Sequence, residues 1–181
     1  MNEQAFNAVF VSLRTAEDGE ALPLGAATAA AALVQASLVR PGDMKVLAAG
    51  VDEPQDALAR RILASSPDLV GFSLYCWNST ASMKLAAKLR AACPRLLLIA
   101  GGPDAERLVA KEEPASVFDA VFLGEAEENL VAWVRDAAKN GGGQALARGG
   151  ANPAAFLRGK PASPAALASP FSTCAQNSPP A

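Results

Sequence analysis

The chain has 181 residues, 51% of them hydrophobic, with 16 basic and 18 acidic side chains and a formal net charge of −2. That balance leaves no electrostatic footprint for a nucleic-acid backbone or an anionic membrane surface. Three cysteines and no histidine exclude imidazole general bases, Ser–His and Cys–His pairs, and imidazole ligation of a metal.

The start, MNEQAFNAVFVSL, lacks the basic n-region of a secretory signal. The longest apolar stretch, GAATAAAALVQASLV, is alanine-dominated and falls short of a membrane span. A cytoplasmic location is the expectation. The first apolar run, FNAVFVSL (Phe6–Leu13), reads as a strand, and after the loop RTAEDGEALPLG comes the alanine-rich helix LGAATAAAALVQASL. Loops this long at a strand's carboxyl end are commonly functional, although the acidic run Glu17, Asp18 and Glu20 reads as a solvated surface.

The second strand, MKVLAAG (Met44–Gly50), precedes the helix EPQDALARRILASS, and the third, LVGFSLY (Leu69–Tyr75), precedes STASMKLAAKLRAAC. RLLLIAGG (Arg95–Gly102) leads into DAERLVAKEE, and DAVFLGE (Asp119–Glu125) into EENLVAWVRDAAKN. Ser79 or Thr80 is expected to cap the third helix and Asp104 the fourth, with Glu125, Glu127 and Glu128 at the positive end of the fifth. Pro94 and Pro114 stop two helices.

Short apolar runs without alternation, each followed by a helical period, are the pattern of strands buried on both faces. The expected fold is α/β: a five-stranded doubly wound parallel sheet, a three-layer sandwich of flavodoxin-like or Rossmann-like type, spanning residues 1–140. Its ligand crevice belongs at the carboxyl ends of the strands. Residues 141–181, rich in glycine, proline and alanine, read as an irregular linker or tail without a core of its own.

The strand tips therefore hold the candidate chemistry. LVGFSLYCWN places Ser73, the only tyrosine (Tyr75) and one of two tryptophans (Trp77) at the third tip. The aromatics are either amphipathic lids over the core or contacts for a ligand. The fourth tip, AGGP, offers Gly101 and Gly102, where another group can approach the backbone or the chain can turn tightly. Ser73, Gly101 and Gly102 fall on neighbouring strands beside a helix nearly free of bulk, leaving a slot for a long, flat appendage between sheet and helix. No glycine-rich dinucleotide fingerprint follows the first strand, and no phosphate loop is present. A phosphorylation receiver would need acidic residues where Leu13, Arg14 and Ser73 stand.

In combination, DLVGFSLYCWN, LLLIAGGPDAE and DAVFLGEAEENL resemble the cobalamin-binding domain at the amino end of many radical S-adenosylmethionine enzymes. The resemblance covers roughly Phe6 to Asn140. It implies a corrin ring over the carboxyl edge of the sheet and a nucleotide tail in a slot beside the strands. By the same resemblance Ser73 lines the tail slot, Gly101 and Gly102 let the tail pass, and Tyr75, Cys76, Trp77 and Asn78 form the loop under or beside the corrin. Leu22 to Gly25 match the loop-to-helix turn, Gly124 and Glu125 the last tip, and Leu13, Leu74 and Pro103 complete the implied cofactor contacts.

Two departures limit what carries over. The classical motif supplies a histidine to cobalt, and this chain has none, so the lower face is expected to be unligated or to take water, with Cys76 a less favoured thiolate ligand. The full enzymes add a barrel with closely spaced cysteines, whereas Cys76, Cys93 and Cys174 lie far apart, so no iron–sulfur cluster and no protein-held metal are expected here. The expected function is a base-off cobalamin-binding module that is not catalytic alone: either a truncated gene product, or a subunit that presents its cofactor to a separate radical S-adenosylmethionine or methyltransferase subunit. The alternatives are a small flavodoxin-like enzyme binding a nucleotide or flavin, and a degenerate domain serving assembly.

Overall fold

Side chains alternate across a strand, so a strand buried on both faces needs two apolar sets, one for each layer of helices. A computed structural model describes residues 6–18, 23–110, 117–139 and 155–158. Its strands are β1 (Ala8–Arg14), β2 (Met44–Gly50), β3 (Leu69–Ser73), β4 (Leu97–Gly101), β5 (Ala120–Leu123) and β6 (Ala155–Arg158). The helices are α1 (Leu24–Gln35), α2 (Gln55–Leu63), α3 (Ser79–Ala92), α4 (Ala105–Ala110) and α5 (Glu127–Lys139).

All neighbouring strands pair in parallel, in the order β2-β1-β3-β4-β5-β6. The expected five-stranded, doubly wound sheet is present, with its strand order reversing between β1 and β3. A sixth strand extends it. AFLR, Ala155–Arg158, pairs with β5 in the register Ala120↔Ala155 to Leu123↔Arg158. Those four residues lie within the stretch expected as a tail, where the apolar run is too short to stand out among glycines, prolines and alanines. The rest of 141–181 lies outside the described residues, as do Glu20, Leu22 and Pro114.

One face of the sheet packs Val9, Val11, Val70, Phe72, Leu98 and Val121 against Leu58 and Ile62 of α2, Leu85 and Leu89 of α3, and Leu108 of α4. The other packs Ala8, Phe10, Leu69, Leu97, Ile99 and Phe122 against Ala26, Ala30 and Leu33 of α1 and Leu130 and Val134 of α5. Alanine is the strongest helix former, so α1 forms without a side-chain N-cap bond after Pro23. Its buried alanines also let the helix approach the sheet closely. At the amino edge, Asp119 Oδ2 accepts from Arg90 Nη2 and from Leu98 N, each at 2.7 Å. Arg90 Nη1 also donates to the carbonyls of Pro94 (2.9 Å) and Leu96 (2.8 Å), fixing the entries of β4 and β5 and hence the alignment of their far ends.

Candidate ligand-binding site

Towards the carboxyl edge, the side chains on the α1/α5 face become small. Along β3 the residues facing α1 run Leu69, Gly71, Ser73; along β4 they run Leu97, Ile99, Gly101; after Phe122 of β5 comes Gly124. Opposite them α1 presents Gly25, Ala26, Thr28 and Ala29. Two converging surfaces that both lose bulk cannot close on each other, and a cavity of about 220 Å³ remains between them. Ile99, Phe122 and Leu130 line it, Ser73 and Tyr75 stand on the β3 side, and Gly124, Glu125 and Glu127 on the α5 side. The Phe10 ring fills the space left by Gly71, where a Cβ would stand 2.5 Å from a ring carbon, and so forms part of the wall.

The adjacent glycines of the fourth tip have different physical causes. At Gly101 a Cβ would meet only Phe122, at 3.5 and 3.6 Å, so the missing side chain leaves open volume. At Gly102 φ is +118° and a Cβ would stand 2.5 Å from the Leu74 carbonyl oxygen and 2.9 Å from its nitrogen. Gly102 is required by the turn itself, in which Leu74 N donates to the Gly101 carbonyl (2.7 Å) and Asp104 N to the Leu74 carbonyl (3.2 Å). Gly25 stands across the slot. A Cβ there would lie 3.4 Å from Ser73 Oγ and 3.7 Å from the Tyr75 hydroxyl.

Two polar side chains on this mostly apolar wall stand out. Ser73 is 8% exposed, and its Oγ makes no hydrogen bond among the described residues. Glu127 Oε2 is buried without a hydrogen-bond partner. Buried polar groups are normally paired, so Glu127 Oε2 calls for a partner that the described residues do not provide.

The neighbouring tips are stitched by side chains instead. Asn78, fully buried at the reversal of strand order, donates through Nδ2 to the carbonyls of Leu13 (2.9 Å) and Ser73 (3.1 Å). Its Oδ1 accepts from Tyr75 N at 2.9 Å. Ser79 is the first residue of α3, not its cap: its Oγ lies between the Tyr75 carbonyl (2.9 Å) and the Asp104 carboxylate. Arg107 holds Asp104 in a two-pronged contact at 2.7 and 2.5 Å, and the carboxylate raises the guanidinium above its ordinary pKa by hydrogen bonding first and charge second.

Of the residues picked from the sequence, the cavity lining gathers Gly25, Ser73, Tyr75, Gly101, Gly102, Pro103, Gly124 and Glu125. Leu13 and Leu74 turn the other way, into the core under α2 and α3. Cys76 is exposed, and Trp77 is 48% exposed with its ring stacked on Tyr75 at 4.7 Å and 12°. The aromatic pair therefore forms a shelf at the cavity mouth, with only Tyr75 reaching inside. Sequence reasoning missed Phe10, Gly71, Phe122, Glu127 and Leu130 as lining residues. The period of two along each strand, followed back from Ser73, would have found Gly71.

A family model of the B12 binding domain matches residues 13–134, two thirds of the chain. This chain belongs to the B12-binding domain family. No curated protein matches it significantly. Among solved structures, this B12-binding domain is similar to the cobalamin-dependent S-adenosylmethionine radical enzyme OxsB with aqua-cobalamin and S-adenosylmethionine bound, at 14% identity and a TM-score of 0.61. The same enzyme with aqua-cobalamin bound gives 14% identity and a TM-score of 0.58. Each match covers 76% of this chain and 19% of the other, so the chain spans about a fifth of the length of the enzyme it matches, and the likeness is one of fold.

Proposed function

We propose that this B12-binding domain holds cobalamin base-off, with the corrin ring over the carboxyl edge of the sheet and the nucleotide tail in the slot between sheet and α1. The observation that carries this reading is the cavity itself, which Gly25 and Gly101 keep open and on whose wall the Ser73 hydroxyl stands. A tail inserted there is removed from the cobalt, and with no histidine in the chain nothing imidazole-like replaces it. The exposed Trp77 on Tyr75 supports the ring's lower face as an apolar shelf. Bound cobalamin supplies cobalt-centred group-transfer or radical chemistry; the chain binds, orients and shields it.

The partner in this reading is a radical S-adenosylmethionine or methyltransferase unit in the cytoplasm, which would supply any iron–sulfur chemistry. The three cysteines here, Cys76, Cys93 and Cys174, are too dispersed to hold a cluster. Among the described residues no helix is long and apolar enough to cross a membrane. A nucleotide or flavin phosphate is disfavoured at the same edge by Glu125, Glu127 and Glu128, which surround the start of α5. The test is to mix the purified protein with hydroxocobalamin, desalt, and record the visible spectrum. A coloured protein fraction with the spectrum of cobalamin whose benzimidazole has left the metal is expected; a colourless fraction at micromolar protein overturns the proposal.

A further inference from the structure

Glu127 is the first residue of α5 and lines the cavity with Leu130, one helical turn further on. Its Oε2 is buried and unpaired among the described residues, whereas Glu125 and Glu128 beside it are exposed. An ionised carboxylate only accepts hydrogen bonds, so a buried and unanswered oxygen of this kind selects a donor and repels an anion. Ser73, 8% exposed on the β3 wall, supplies the complementary O–H. The slot therefore has a donor on one side and an acceptor-only group on the other.

We infer that Glu127 is a specificity-determining residue that accepts a hydrogen bond from a sugar hydroxyl of the ligand's tail. This rests on the cobalamin reading and says which part of the cofactor meets α5. The tail's phosphate is excluded from that wall by charge, and its benzimidazole carries no N–H to offer. Its ribose hydroxyl is a neutral donor. The ring's amides are donors too, but they belong over the edge, outside the pocket that Leu130 and Phe122 close from below.

The experiment titrates wild type, Glu127→Gln and Glu127→Leu with hydroxocobalamin and with cobinamide, which keeps the ring amides and lacks the nucleotide. Circular dichroism melting confirms that each variant is folded. Glu127→Leu is expected to weaken hydroxocobalamin binding about tenfold to a hundredfold, the range for a hydrogen bond to a charged group, and to leave cobinamide binding unchanged. Glu127→Gln keeps a neutral carbonyl acceptor in place of the charged one and is expected to fall between the two, about threefold to tenfold weaker than wild type. Equal affinity of wild type and Glu127→Leu for hydroxocobalamin overturns the inference, leaving the cobalamin reading intact. A parallel loss of cobinamide affinity overturns it as well, by assigning the donor to the ring. Failure of the wild type to bind hydroxocobalamin at all instead removes the functional reading beneath it.

Discussion

The two faces of the sheet treat its carboxyl edge in opposite ways. Under α2, α3 and α4 the side chains keep their bulk to the tip, with Phe72 followed by Leu74 after β3 and Val121 followed by Leu123 on β5. Under α1 and α5 the same strands run out in Ser73, Gly101 and Gly124. Apolar burial is worth about 25 cal/mol per Å², so the first face stabilises the domain and the second gives up such burial where the cavity opens. The division lets one sheet be both foundation and receptacle: the aliphatic face holds the strand tips in register while the depleted face stays open.

Breaking that division most severely means filling the slot. Gly101→Leu puts a side chain into the open volume beside Phe122, and the affinity for hydroxocobalamin is expected to fall about a hundredfold or more with the fold retained. Gly102→Ala, one residue on, has the opposite profile. It places a Cβ against the Leu74 backbone at positive φ and is expected to destabilise the domain by about 2 kcal/mol or more in urea unfolding. Equal behaviour of the two variants would mean that the glycines share one role and that the cavity is not the receptor.

The next effect tests whether the stitched tips are structural. Asn78→Ala removes the three contacts to Leu13, Ser73 and Tyr75 backbone groups in a fully buried position, at an expected cost of about 2–4 kcal/mol. Asn78→Asp should be worse than alanine, since it turns a carboxylate oxygen towards the carbonyls of Leu13 and Ser73. Denaturant curves in which both variants match wild type would return Asn78 to the set of direct cofactor contacts.

These residues also show how far the sequence could be read. The strands and helices were legible because apolar runs and helical periods are local. The slot was legible because Ser73, Gly101 and the alanine helix each advertise missing bulk. Asn78 was not, because its function depends on meeting Leu13, 65 positions away. The split between Gly101 and Gly102 lies in a backbone angle that two identical letters do not record. The same limit hid Glu127, whose buried oxygen differs from those of its acidic neighbours only in three dimensions.

The smallest effect sharpens the contrast between receptacle and foundation. Ser73 is 8% exposed and its hydroxyl makes no hydrogen bond among the described residues, so Ser73→Ala should change the unfolding free energy by less than about 0.5 kcal/mol in either direction. Its hydrogen bond is made only to the ligand, and a neutral hydrogen bond lost from a bound complex corresponds to a drop in hydroxocobalamin affinity of about threefold to tenfold. Stability and affinity are thus uncoupled at Ser73, while at Asn78, five residues along, stability takes the whole effect. A marked loss of stability in Ser73→Ala, with affinity unmoved, would show that the hydroxyl serves the fold and that the two faces differ less than their side chains suggest.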